Sequence, residues 1–204
     1  EDIDAISTAS WDATTWRIGA DYHFSDDHMI YLMVSRGFKS GGFQETPENQ
    51  VDASTPFDPE FATQYEIGTR SAFFEGRLIW NNTFYVMNYE DLQVRETDGL
   101  NIFTANADAT INGYETLLRW RMGGGFALDA SYAYTDATFD SYVLPSADYS
   151  GNRLTRVPEN KVVLSPSYTM QFGAGGELQL AVDYQYESDI LDDASNASNE
   201  CRDA

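Results

Sequence analysis

Between Glu177 and Glu187 the sequence reads ELQLAVDYQYE and alternates without a break. Leu178, Leu180, Val182, Tyr184 and Tyr186 fall on one side, and Glu177, Gln179, Ala181, Asp183, Gln185 and Glu187 on the other. A period of two is the mark of a strand with one apolar face. The segment beginning at Phe126 repeats it, setting Phe126, Leu128, Ala130, Tyr132 and Tyr134 against Ala127, Asp129, Ser131, Ala133 and Thr135. The runs, 177–187 and 126–138, last 11 residues or more, whereas strands of globular proteins most often last about 5–6.

Related patterns occupy residues 14–24, 28–36, 61–74, 77–94, 110–122 and 161–171, making eight candidate strands. In 14–24 the outward set is Trp16, Ile18, Ala20, Tyr22 and Phe24. In 28–36, 61–74 and 77–94 the alternation is too irregular to assign faces. Short turns rich in Gly, Asp or Glu sit at 25–27, 75–76, 123–125 and 173–176, and longer polar connections at 37–60, 95–109 and 140–158. Tight turns at one end and long loops at the other describe an antiparallel up-and-down meander.

No stretch reaches the ~18–20 apolar residues of a membrane helix, so any crossing of a bilayer must be made by strands. Strands of ~9–11 residues with an apolar side, short turns on one rim and long loops on the other fit a bacterial outer-membrane β-barrel. Trp16, Tyr22, Phe24, Trp80, Trp120, Tyr132, Tyr134, Tyr184 and Tyr186 would form its aromatic girdles. Hydrocarbon tolerates only a closed barrel, so the expected fold is all-β, and eight strands are either a small complete barrel or an arc of a larger one. A soluble β-sandwich binding module alternates too, but with shorter strands.

Glu, Asp, Lys and Arg give a net charge of −21, with 33 acidic against 12 basic residues, which argues against nucleic acid as a partner. The single cysteine, Cys201, excludes a disulfide framework and a cysteine-rich metal site within these 204 residues. The N-terminus lacks the apolar core of a secretion signal, and the C-terminus passes from strand into a polar run. The expectation is an internal piece, with residues 1–204 part of one barrel domain.

Catalytic chemistry finds little support. His23 and His28 flank the turn HFSDDH, where an acidic loop could hold a metal, but polar turn residues ordinarily just face water. No HExxH, GxSxG or P-loop spacing occurs, and 33 carboxylates make some proximity between acids inevitable. Neither a metal, a cofactor nor an enzyme is expected. If the apolar residues face lipid, then Glu115, Arg119, Asp129, Lys161, Asp183, Gln185 and Glu187 project into a hydrated lumen.

Five motifs then occur in order: SRGFKSGGFQ (35–44), PFDPEFATQYEIGTR (56–70), GRLIWNNTFYVMNYEDLQV (76–94), NADATINGYE (106–115) and NRLTRVPENKV (152–162). Together they resemble the C-terminal barrel region of TonB-dependent outer-membrane receptors. The resemblance covers about residues 14–188. It implies a barrel of about 22 strands around a plug, of which this chain supplies about eight. It also implies localisation in the bacterial outer membrane and active uptake of a scarce small-molecule nutrient, most commonly a ferric siderophore or other iron complex. The energy would come from the TonB complex acting through a plug region absent here, and the outward face would meet outer-membrane lipid. Cobalamin, haem and oligosaccharides stay open as substrates.

Arg36 and Lys39, at the top of a strand, would face the vestibule and contact an anionic ligand or pair with barrel acids at the loop root. Glu66 and Glu115 are expected as inward carboxylates, and Gly68 and Gly113 as places where a side chain is omitted for packing or twist. The alternatives are a passive diffusion porin and, further off, an outer-membrane enzyme.

Overall fold

The computed structural model describes residues 7–98, 101–173 and 175–196. Its main sheet is an antiparallel meander: β1 (Trp16–Ser25), β2 (His28–Lys39), β3 (Glu60–Phe73), β4 (Leu78–Asp98), β5 (Asn101–Gly123), β6 (Phe126–Ser141), β9 (Asn160–Phe172) and β10 (Gly176–Ala181) pair in that order. A short helix, α1 (Gln50–Ser54), interrupts the connection from β2 to β3. The hairpin of β7 (Val143–Leu144) and β8 (Ala147–Asp148) lies between β6 and β9, and β11 (Tyr184–Glu187) continues the line of β10 along β9.

The break between β10 and β11 has a covalent cause. Val182 N–H donates to Pro166 O at 3.1 Å, and the return bond of that antiparallel pair is missing because proline has no N–H. Ser165 Oγ compensates next door by donating to Asp183 Oδ1 at 2.6 Å. Pairing along β9 resumes at Tyr184 opposite Leu164.

The eight expected strands are all present, but two run further than the sequence suggested. β4 and β5 span 21 and 23 residues, and pair through Asp98 opposite Asn101, so the long connection expected at 95–109 is instead mostly ladder. At ~3.3 Å per residue these strands are about 70 Å long, more than a bilayer requires even at a steep tilt. Their upper halves stand clear of the membrane.

Cross-strand register defines two faces. Ile18, Val34, Tyr65 and Val86 share one row, and Ala20, Leu32, Ile67, Phe84, Tyr114 and Tyr134 share the next. These side chains form the apolar outward face. Near the tight turns it carries Tyr22, Phe24, Trp80, Trp120, Phe126 and Phe172, all exposed. About eight residues higher it carries Trp16, Tyr65, Tyr134, Tyr184 and Tyr186. Two aromatic bands about eight residues apart, ~26 Å along the strand, match the girdles of a membrane barrel, whose short turns face the periplasm.

The opposite face is polar where it crosses the membrane. The packed core sits higher, on the same inner face at the loop end: Ala107, Ala109, Ala137, Phe139, Tyr142, Leu154 and Ala194 are buried together. Phe139 and Tyr142 rings lie 4.8 Å apart over the alanines. The segment from Gly151 to Leu154 closes this core by pairing with the top of β6, with Leu154 N–H donating to Ala137 O at 2.9 Å.

Candidate functional site: the inner wall and the loop end

The inner wall is built from ordered cross-strand rows. Arg119 stands opposite Asp129, which stands opposite Ser165; Glu115 stands opposite Ala133, which stands opposite Lys161, and Lys161 opposite Glu187. Arg119 Nε lies 2.9 Å from Asp129, Arg121 Nη1 3.7 Å from the same carboxylate, and Lys161 Nζ 3.1 Å from Glu187. These half-exposed pairs each stabilise by about 0–1 kcal/mol, so they set the polarity of the wall more than its stability. All seven residues expected in the lumen lie on this face.

Glu66 and its neighbours form a tighter group. Tyr31 Oη donates to Glu66 at 2.6 Å and lies 3.0 Å from Thr83 Oγ1, while Gln64 Nε2 donates to Glu66 at 2.8 Å. Tyr31 can lie flat there because its cross-strand neighbour is Gly68, where an added Cβ would come within 2.5 Å of the phenol oxygen. Tyr85 covers Gly113 in the same way, 2.1 Å from a hypothetical Cβ. The two glycines are seats for tyrosine rings.

Arg36 and Lys39 are not brought together. They are three residues apart on an unbroken strand, so they point to opposite faces. Arg36 shares the outward face with Leu32 and Val34, donates to Glu90 at 2.8 Å and to Thr63 at 3.3 Å, and stacks 4.5 Å from the centre of the Phe61 ring. It stands level with the upper aromatic band. Lys39 lies on the inner face opposite Glu60 at 3.7 Å, with 60% of its side chain exposed against 28% for Arg36. His23 and His28 also part company: His23 Nε2 lies 3.2 Å from Asp21, and His28 stacks on Phe73 at 4.8 Å. Among the described residues no group of three or more His, Cys, Asp or Glu could hold a metal. Cys201 lies outside the described residues.

The loop end is organised by a bulge. Between Tyr89 and Leu92 the β4–β5 register slips, with Asp91 at a φ of 55°. The slip inverts the phase of β4, so Leu92 and Val94 join the inner core while Gln93 and Arg95 turn outward. Asp108 accepts from Asp91 N–H at 3.1 Å, and Asn106 Nδ2 donates to Asp91 O at 2.8 Å. Burial, then the nearby carboxylates of Asp58, Asp108 and Glu90, push the Asp91 carboxyl above its ordinary range.

The β2–β3 connection then straps over this hairpin. Gln93 donates to Ser40 O at 2.8 Å, Asn106 Oδ1 accepts from Asp58 N–H at 2.9 Å, and Arg95 pairs with Glu45 at 2.7 Å. At the edge of β5, Gln44 exchanges two bonds with the backbone of Thr104, at 2.7 and 2.8 Å, and Thr46 two with Ile102, also at 2.7 and 2.8 Å. Two side chains occupy the position of a further strand.

On the inner side, Tyr142 Oη donates to Glu96 at 3.0 Å, and burial followed by that bond pushes the phenol up from its ordinary value. A cavity of about 600 Å³ opens beside it, lined by Val94, Glu96, Phe139, Leu154, Arg156 and Asp192 among others. A second cleft, of about 540 Å³, lies between the strap and the β7–β8 hairpin. Sequence reading assigned neither, because both are made by residues far apart in the chain; the aromatic pair Tyr142 and Tyr149 was the signal available.

Long strands, girdles, a polar inner wall and an elaborate loop end define a transmembrane β-barrel wall with an extracellular vestibule. Residues 2–201 match the family model for the TonB dependent receptor-like β-barrel, and the chain belongs to that family of outer-membrane receptors. It is 27% identical over 176 residues to the pesticin receptor of Yersinia enterocolitica, covering 86% of this chain and 24% of that protein. It is 24% identical over 153 residues to the ferric-pyoverdine BN7/BN8 receptor of Pseudomonas putida, covering 74% of this chain and 17% of that protein. Among solved structures, the ferric yersiniabactin uptake receptor from Yersinia pestis superposes with a TM-score of 0.72 at 24% identity, covering 89% of this chain and 27% of the other. The chain thus spans between about a sixth and about a quarter of the length of these proteins.

Proposed function

We propose that this segment is part of the wall and vestibule of an active transport receptor that imports a ferric siderophore or comparable iron complex. The observation that carries the reading is family membership together with the names of its relatives, which are receptors for ferric pyoverdine, ferric yersiniabactin and pesticin. All 204 residues belong to one barrel domain, with the plug and remaining strands elsewhere in the full protein. Ligand is held by extracellular loops and plug and released inward when TonB-derived energy rearranges the plug. The outward face meets lipid, nucleic acid is not a partner, and no catalytic step is involved.

Of the two cations singled out in the sequence, ligand contact rests on Lys39, which is inward and open. Arg36 fixes the loop root against Glu90 and Phe61. In the full receptor, Lys39→Gln should weaken ligand binding while Arg36→Gln lowers barrel stability alone; unchanged affinity in Lys39→Gln would leave both as structural.

The decisive experiment deletes the gene and measures growth and radioactive iron uptake under iron limitation, with and without a functional TonB complex. TonB-dependent loss of uptake supports the reading. The polar inner wall equally suits a passive porin, so conductance is measured on the purified full protein. A large constitutive current, with uptake indifferent to TonB, would replace the receptor by a pore.

A further inference from the structure

The two glycines at the start of the strap are seats for rings from two other places in the chain. A Cβ on Gly41 would lie 2.4 Å from Phe57 O and 2.7 Å from Cε2 of Trp11, and one on Gly42 would lie 2.6 Å from Cζ of Phe57. Neither glycine has a positive φ, so crowding and not backbone conformation excludes a side chain there. Gly42 and Phe57 also pair through their backbones: Phe57 N–H donates to Gly42 O at 2.8 Å, and Gly42 N–H to Phe57 O at 3.4 Å. This pair closes the neck of the strap, so residues 43–56 leave and return at one point.

Trp11 comes from the other side of β1. Residues 7–15 carry no strand or helix and enter β1 at Trp16, at the loop end of the sheet. The half-buried Trp11 ring fills the seat on Gly41 and meets the Phe43 ring edge-on, with centres 6.4 Å apart. The strap's other fastenings lie across the sheet: Ser40 O accepts from Gln93, while Gln44 and Thr46 exchange bonds with Thr104 and Ile102 at the edge of β5. One span of chain therefore ties the segment before β1 to the edge of β5. A ring seated by packing, on a segment without a ladder, is the fastening that opens most easily, because few backbone bonds break with it.

We propose that Trp11 and the Gly41–Gly42 seats form a clasp that opens and closes, through which the extracellular connection before β1 and the strap move as one flap. With the ring seated, both are held to the rim; with the ring out, the segment before β1 is released and the neck of the strap loosens. Lys39 lies two residues before Gly41, so a ligand that touches the root of the strap acts on both connections. The clasp rests on the receptor reading only in taking this end of the sheet as the extracellular one. A coupling between two contacts works equally in both directions, so it is tested from both ends.

The test uses the full receptor in detergent. Hydrogen–deuterium exchange by mass spectrometry follows Phe57, whose amide is held by Gly42, and Thr104 and Ile102, held by Gln44 and Thr46. In Trp11→Ala, exchange in the peptides covering all three should quicken about three- to tenfold, and Trp11→Phe should recover part of the protection. Chymotrypsin cleaves after Trp11 once the ring leaves its seat. Gln44→Ala/Thr46→Ala, which unties the far end, should therefore speed release of the peptide ending at Trp11 by a similar factor. Gly41→Ala, whose methyl group strikes the ring and the neck together, should produce both effects.

Unchanged exchange at Thr104 and Ile102 in Trp11→Ala, or cleavage indifferent to the double variant, overturns the clasp, because ring and strap are then independent. Acceleration that reaches residues 128–134 in β6 also overturns it, since the ring would then support the barrel at large. If Gly41→Ala does not reach the folded, heat-modifiable form, Trp11→Ala decides, as it alters a segment outside the strands. A protein that shows the coupling from both ends and no TonB-dependent iron uptake keeps the clasp and loses the receptor; uptake without the coupling loses the clasp alone.

Discussion

At the scale of single residues, the family-like motifs resolve into seats and braces. Gly113 is where the Tyr85 ring rests, so Gly113→Ala should displace that ring and destabilise the barrel by about 1–3 kcal/mol. The readout is the temperature at which the full protein loses its compact, heat-modifiable mobility in SDS gels, and recovery in Gly113→Ala/Tyr85→Leu would identify the ring as the cause. Asp91 is under a different tension. Its folded-state pKa is raised, so between the ordinary carboxylate value and the raised one the folded chain holds more proton than the unfolded chain, and stability falls as pH rises through that window. Asp91→Asn keeps a residue tolerant of the positive φ and removes the charge. It should be more stable than the native protein at neutral pH, with the difference disappearing in acid; thermal unfolding of both proteins at several pH values checks this. Arg36 and Lys39 show what sequence spacing already contained. Three positions apart on a strand means opposite faces, but only once Leu32 and Val34 are known to be outward, and their own stretch mixes Tyr31 and Met33 with them too evenly to say so.

At the scale of elements, legibility followed the solvent on each face. The run from Glu177 to Glu187 was readable because one side meets lipid and the other water along its whole length. The upper β4–β5 ladder was not, because the bulge at Asp91 inverts the phase midway, and because beyond it polar pairs such as Gln93 with Asn106 imitate a loop's composition. The cleft and the strap were hidden for a further reason: they arise where Gln44 meets Thr104, sixty positions away. That contact is testable. Gln44→Ala and Thr46→Ala together remove four bonds to the β5 edge, each contributing about 0.5–1.5 kcal/mol. Hydrogen–deuterium exchange should accelerate in the peptide covering residues 101–107 and stay unchanged in the turn at 123–125.

At the scale of the whole molecule, the sheet is an open arc. Among the described residues, β1 and the β10–β11 line have no strand paired along one side, a state that hydrocarbon does not tolerate. Expressed alone, the segment should therefore aggregate or stay unfolded in detergent, while the full protein gives a heat-modifiable monomer; gel mobility and size-exclusion chromatography distinguish the outcomes. The two aromatic bands carry one more consequence. Trp80 and Trp120 are rigidly joined, through a few rungs of backbone ladder, to Tyr65 and Tyr134 above them. Neither band can shift without the other, so in a bilayer several Å thicker one of them must sink below its headgroups, at a cost that rises with each Å. The wall is in that sense a gauge, cut to the thickness of the one membrane in which it fits.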